Sequence, residues 1–390
     1  MKRAWFALLV PFSIILTGWA HRNPQATERW FSEGFYRFWA AVYGRVFGYL
    51  PFSVSQFLII IVPVGAVAYI FYEIYCIFVR PQLRKRKEAK AVNPKDPLEF
   101  GKWENEYNGW ARSYRKKCIG RLLANSTCVV GILWFLFTIG AGLNYARLEL
   151  GEVLGLEVRP STVAELAALT EILVAQANEL STQVARDENG VMVISAPGYV
   201  ALSRQAREIF RNAGEDIPIL RGFVPHAKPI VYSRFMSRLG IVGIYSPFTL
   251  EAHVNVDVLD YHIPNTMLHE LAHFRGIMRE DEANFIAWLV GKRSGNPDFM
   301  YSGAMLALTH ASGQLWRVSR DAHNRVMAAQ NAYVLADRRA NWYYWRQFDG
   351  PLTEISQNIN DAYLRAQRQE DGVQSYGRMV DLLLAYFRAN

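Results

Sequence analysis

His269-Glu270-Leu271-Ala272-His273, followed beyond Gly276 by Arg279-Glu280-Asp281-Glu282-Ala283-Asn284, is the stretch on which the reading of this chain turns. Residues four apart on an α-helix share a face, so His269 and His273 can present both imidazoles to one metal ion. Glu270 lies one residue further on, able to reach a water at that ion without being a ligand, which is where a general base belongs. The flanks support a helix. Tyr261-His-Ile-Pro-Asn-Thr-Met-Leu268 reads as a turn and then a helix start, with Pro264 tolerated in the first turn and Asn265 or Thr266 as caps. Leu268, Leu271 and Ala272 supply an apolar face, and Gly276 ends the helix.

A second helix is expected from about Arg279 to Val290, and it should bring a third ligand. Glu280 and Glu282 compete for that role. Two residues apart, they point in nearly opposite directions, so only one can face the metal. Glu280 shares its stripe with Ala283, Asn284 and Ala287, small residues that let the two helices approach closely. Glu282 shares a bulkier stripe with Phe285, Ile286 and Leu289. Glu280 is the preferred ligand and Glu282 the alternative.

H-E-x-x-H followed by E-x-x-A-[D/N] on a second helix resembles the gluzincin metallopeptidases. The resemblance implies a Zn²⁺ site of His269, His273 and Glu280. Asn284 stands where the family more often has an aspartate that orients a ligand histidine; an asparagine accepts the same bond without charge. The longer H-E-x-x-H-x-x-G-x-x-H pattern is matched through Gly276 and fails at Arg279, whose guanidinium cannot bind zinc. The whole chain further resembles an uncharacterised family of bacterial membrane proteins with three N-terminal spans and an external gluzincin-like domain. Leu50-Pro-Phe-Ser53, Gly142-Leu-Asn-Tyr145, Gly243-Ile-Tyr-Ser-Pro247 and Ser375-Tyr-Gly-Arg-Met-Val-Asp381 carry that likeness, and within the last, Tyr376 and Arg378 have no derivable role. In gluzincins an edge strand beside the cleft pairs with the substrate main chain, which makes Gly243 and Tyr245 candidate substrate-binding residues. An ordinary sheet strand is the other reading of that segment.

The apolar residues, 51% of 390, are concentrated at the front of the chain. Three segments are near the ~20 apolar residues that a bilayer requires: about 4–20, 57–79 and 122–145. Trp19 and His21 favour an uncleaved anchor for the first, a cleaved signal peptide being the alternative. The net charge of +8 is uneven, with Arg84-Lys-Arg-Lys87 and Arg115-Lys-Lys117 inside residues 80–121. That distribution speaks against nucleic-acid binding. By the positive-inside rule the basic loop and the N-terminus are cytoplasmic, in a bacterial cell membrane. Loop 21–56 and residues 146–390 then face outward. The loop's Trp30-Phe31, Phe35-Tyr36, Phe38-Trp39 and Phe47-Gly-Tyr-Leu50 fit either an amphipathic helix on the outer membrane interface or packing against the catalytic domain. Asn93–Pro97 reads as exposed linker. Cys76, Cys118 and Cys128 all fall in or beside the spans, so the 146–390 domain has no disulfide framework and no cysteine metal site.

That domain reads as α+β, a mainly helical metallopeptidase-like fold with a small sheet. Helices are expected at Ser161–Val184, capped by Ser161 or Thr162, and at Ala201–Asn212. Strands are expected at Gly190–Ser195, Pro229–Ser233, Gly240–Pro247 and Glu251–Val256, and helices from Pro264 onward. A transition-state oxyanion commonly needs a donor besides the metal, for which Tyr301 and His310 are candidates. The expected function is membrane-anchored, zinc-dependent hydrolysis of a peptide or protein substrate, with Glu270 as base and the lipid bilayer as the other partner. A membrane-bound sensor or zinc-binding receptor with the same external domain is the competing reading.

Overall fold

A computed structural model describes residues 2–92, 95–367 and 378–389. Asn93 and Tyr376, both singled out from the sequence, lie outside the described residues. The chain divides into two compact units, one of residues up to Leu16 with Ser55–Thr138, the other of Thr17–Val54 with Ile139 onward.

In the first unit two helical stretches, Val54–Ala89 and Pro97–Gly140, are long and apolar enough to cross a membrane, and their apolar windows are almost uncovered by protein. The third expected span differs. Its helix ends at Gly140, and Gly142–Ala146 forms a buried 3-10 turn in the other unit. The first expected span is a 3-10 segment, Lys2–Leu8, running into a 14-residue α-helix, Leu9–Arg22, and is not among the helices that meet the length and apolarity required. It lies against the second long helix, with Phe12 6.2 Å from Phe135 and no room for a side chain at Gly131 beside the Phe6 carbonyl. The basic loop is not a loop. Arg80–Ala89 and the first half of Pro97–Gly140 are helices, with Arg84 lying 3.8 Å above the Trp110 ring, a cation–π contact. Glu73 and Arg121 form a bidentate pair between the two long helices at 2.8 and 2.9 Å, as an acid with no exposed surface requires.

The second unit is α+β. Its sheet has three short strands, β1 (Lys228–Pro229), β2 (Gly243–Ser246) and β3 (Glu251–Val254), in the order β1-β3-β2. β3 runs parallel to β1 and antiparallel to β2, with Ile244 opposite His253. Each is shorter than its sequence pattern implied, and Gly190–Ser195 makes only the isolated bridge Arg186–Met192. Helices supply the core. Val163–Ser181 begins with a capping box of Thr162 and Glu165 and packs on Pro297–Val318. Ile263–Phe274 lies between β3 and Glu280–Lys292. Phe285, Trp288, Phe299 and Leu271 are all buried in one continuous cluster.

Residues 21–56 belong to this unit and are mostly helical, through a wide π-helical turn at Thr27–Tyr36 and an α-helix at Arg37–Gly48. Of the two readings open from the sequence, packing is observed on the inner face. A side chain at Gly44 would sit 2.7 Å from the Phe274 ring. Lys228 donates to the carbonyls of Phe47 and Phe52. The buried Arg147 guanidinium joins the Glu28 carboxylate to the carbonyl of Gly276. Trp30, Phe38, Val46 and Tyr49 remain exposed on the outer side.

Candidate metal centre

The helix bearing both histidines runs Ile263–Phe274, with Pro264 in its first turn. Neither Asn265 nor Thr266 is its cap: both lie inside the helix, and Thr266 instead bonds back to the His262 carbonyl at 2.8 Å. The helix stops at Gly276, whose φ of +80° suits glycine. That sharp turn lets Glu280–Lys292 begin four residues later with Glu280, Asp281 and Glu282 in its first turn, where the helix dipole favours acids.

The turn brings the two histidines and one acid together. His269 Nε2 is 3.3 Å and His273 Nε2 3.5 Å from the Glu280 carboxylate oxygens. One ligand atom from each of the three residues lies within 4.8 Å of the others. Glu282 points elsewhere. It accepts from the Leu150 amide at 2.7 Å and from Arg279 at 3.0 Å, pinning the chain that enters the unit. The far nitrogens of both histidines are held. Nδ1 of His269 donates to Asn284 Oδ1 at 2.8 Å, and Nδ1 of His273 donates to the Ile277 carbonyl at 2.7 Å. Each bond fixes the ring so that Nε2 faces Glu280, the outer-sphere support typical of metal-binding imidazoles. Two imidazoles and a carboxylate so converged fit a zinc ion with a further position open.

The electrostatics match this geometry. Burial alone would raise the Glu280 carboxyl, but the adjoining imidazoles outweigh it and hold the group well below the usual carboxylate range. Burial would lower the His273 imidazole, yet Glu280 raises it to about 9. Glu270 is buried, and Oε2 has no hydrogen-bond partner. Burial pushes its carboxyl up to about 7, against the lowering effect of His269 and His273. A buried acid without a partner is costly to the fold, and such groups concentrate where chemistry is done.

Gly243, at the start of β2, presses on Glu270 and Thr266: a side chain there would collide with the Glu270 carboxylate and approach Thr266 Cγ2 at 2.6 Å. Among the described residues no strand pairs with the outer side of β2. Tyr245 lies next to His273, ring centroids 6.2 Å apart, with its hydroxyl 3.0 Å from that of Tyr36. Tyr36 in turn donates to the Phe274 carbonyl at 3.1 Å, at the end of the histidine helix. The Tyr245 hydroxyl is thus engaged by Tyr36, with its ring against His273.

The structure does not bring Tyr301 to the triad. Its hydroxyl donates to Asp337, which also accepts from Arg186 at 2.9 Å and from the Met192 amide at 2.8 Å. His310 is half-buried on Pro297–Val318 and is not part of the triad. Arg378 opens the last described helix, Arg378–Ala389. Two tyrosines from distant parts of the chain, not among the expected site residues, meet within the electrostatic reach of Glu280 instead. The Tyr363 hydroxyl is 3.1 Å from that of Tyr145. Burial raises its phenol, and the Glu280 carboxylate adds to that. Tyr145 was read as the end of a span, and Tyr363 is one of 20 tyrosines with no motif around it.

Residues 106–384 match a family described as proteins of unknown function (DUF3810). The chain belongs to that family. The matched region includes most of the second long stretch, from residue 106 on, the sheet and both helices of the triad. No curated protein and no solved structure matches the chain.

Proposed function

We propose that this DUF3810 protein is a zinc-dependent, gluzincin-type metallopeptidase anchored in a bacterial cell membrane, hydrolysing a peptide or protein substrate. The observation that carries the reading is the convergence of His269, His273 and Glu280 within 4.8 Å, with the partnerless carboxylate of Glu270 on the same helix. When bound, zinc would supply Lewis acidity to a water and to the scissile carbonyl. Glu270 takes the proton from that water and passes it to the departing amine. Asn284 and the Ile277 carbonyl keep both imidazoles in the ligating tautomer. We assign to Tyr363, whose phenol feels the Glu280 carboxylate, donation to the developing oxyanion, the role expected of Tyr301 or His310. Gly243 leaves the Glu270 carboxylate room, and the unpaired side of β2 offers a main-chain ladder to an extended peptide.

The membrane arrangement belongs to the same reading. The basic helices within 80–121 are cytoplasmic, and Thr17–Val54 and Ile139 onward are extracytoplasmic. The first helical segment, packed on the second long helix, is the third member of the membrane region.

The test uses the full chain in detergent, because Thr17–Val54 packs into the same unit as the triad. One zinc per chain is expected in the wild type and none in His269→Ala or Glu280→Ala. Peptide hydrolysis is expected to vanish in Glu270→Gln with zinc retained. Wild-type turnover in Glu270→Gln, or a metal-free wild type under metal-replete conditions, would sink the reading.

A further inference from the structure

Residues 275–279 join the histidine helix to the helix that begins at Glu280, and they do more than connect. The Ile277 carbonyl among them holds His273 Nδ1 at 2.7 Å, and Glu280 follows directly. The placement of this connection therefore fixes one imidazole and the acid at once. Its own main-chain bonds run from Gly276 to the His273 carbonyl at 2.9 Å and from Ile277 to the Ala272 carbonyl at 3.1 Å. They close the end of the first helix and leave open the direction in which the chain departs.

Arg147 supplies that direction. Its guanidinium donates to the carbonyls of Gly276 at 3.1 Å and Arg275 at 3.4 Å, at the start of the connection. Its own carbonyl accepts from the Arg279 guanidinium at 3.2 Å, at the end next to Glu280. One residue thus grips both ends. Two further bonds, from Nε and Nη2, tie the guanidinium to the carboxylate of Glu28 on Thr27–Tyr36, and both side chains are buried. Asn144, with no exposed surface, lies against the same connection: a side chain on Gly276 would sit 3.1 Å from its amide. The stretch Gly142-Leu-Asn-Tyr145, singled out in the sequence without a chemical role, is part of the frame on which this connection rests.

We propose that Arg147, oriented by Glu28, is a positioning residue of the metal centre: it holds the His269–His273 pair and Glu280 at ligating separation and so sets the affinity for the metal. The inference rests on the zinc reading above and extends it to residues 21–56, which contribute Glu28. Ligands must be kept within about 0.5 Å of a productive geometry, and a loose connection between two ligand-bearing helices exceeds that tolerance.

The experiment measures zinc affinity by competition with a chelating dye, and the thermal midpoint without metal, on full-length protein in detergent. Glu28→Gln keeps an acceptor for the guanidinium but leaves its buried charge without a counter-charge. It should melt earlier than the wild type and bind zinc equally well. Glu28→Leu combined with Arg147→Met removes the grip and both buried charges together. This pair variant should bind zinc about 10–100-fold more weakly while melting no earlier than Glu28→Gln. Arg147→Lys, with one ammonium to serve both Glu28 and Gly276, gives the same test should the pair variant not fold. Cobalt in place of zinc reports the ligand geometry. Its visible absorption at saturation should shift in the pair variant and not in Glu28→Gln. Wild-type zinc affinity in both the pair variant and Arg147→Lys, or an affinity that merely follows the midpoint through the series, would overturn the proposal and leave the zinc reading standing. A wild type that binds no zinc removes both. Tight zinc without peptide hydrolysis removes the hydrolase reading and leaves this inference in place.

Discussion

Two buried acids in the same unit are treated in opposite ways. Asp337 has both carboxylate oxygens occupied, one by the Met192 amide and the other by Arg186 and Tyr301. Glu270 is as deeply buried and has an oxygen that nothing satisfies. A structural acid is one whose demands the fold meets. An acid whose demand is left open is a cost that the rest of the fold offsets. The hydroxyls of Tyr301 and Tyr363 also differ in partner: one donates to Asp337, the other pairs with Tyr145.

The largest effect expected from this contrast is on turnover. Glu270→Gln should lower peptide hydrolysis by about 10²–10⁴-fold while its thermal midpoint holds or rises, since a neutral amide replaces a buried partnerless acid. A fall in midpoint with activity intact would reverse the assignment of roles. Asp337→Ala should do the opposite. Denaturant unfolding should register a loss of about 3–5 kcal/mol, because Arg186 is left buried without its counter-charge, while zinc per folded chain stays constant. Next in size, Tyr363→Phe should reduce kcat by about 10²–10³-fold with little change in stability. A KM effect alone would move Tyr363 from the reacting oxygen to substrate binding. The smallest effect belongs to Tyr301→Phe, which should cost about 1–3 kcal/mol of stability for the orphaned acceptor and leave kcat unaltered. A fall in kcat there would return Tyr301 to the centre. The neighbouring acids give a parallel pair: Glu280→Gln should lose zinc and keep its midpoint, whereas Glu282→Gln should keep zinc and melt earlier, having released Leu150 and Arg279.

Local rules explain which parts were legible. The histidine helix, its stop at Gly276, the restart near Glu280 and the competition between Glu280 and Glu282 all follow from spacing within 16 residues, and the packing of the two helices brings Glu280 to the histidines. The capping box at Thr162–Glu165 is equally local. Segment 21–56 was ambiguous because its aromatic stripes suit a bilayer and a protein surface alike. Only the cavity at Gly44 for the Phe274 ring and the Lys228 contacts distinguish the two. Tyr301 lies away from the triad because nearness in sequence to the helix Glu280–Lys292 is not nearness to its first turn. The helix Pro297–Val318 directs that hydroxyl to Asp337, 36 residues on.

What the sequence by itself determined is the pair of histidines on one helix face, Glu270 between them, two acids in competition to join them, and, of three expected spans, the two stretches long and apolar enough for a membrane. Each depends on helical periodicity or on length, which are properties of adjacent residues. Tertiary structure alone decided that Tyr363 and Tyr145 meet beside Glu280, that Gly243 gives Glu270 its space, and that Tyr36 braces the end of the histidine helix. Those contacts join residues separated by 27 to more than 200 positions, and only the packing of one helix on another brings them within reach.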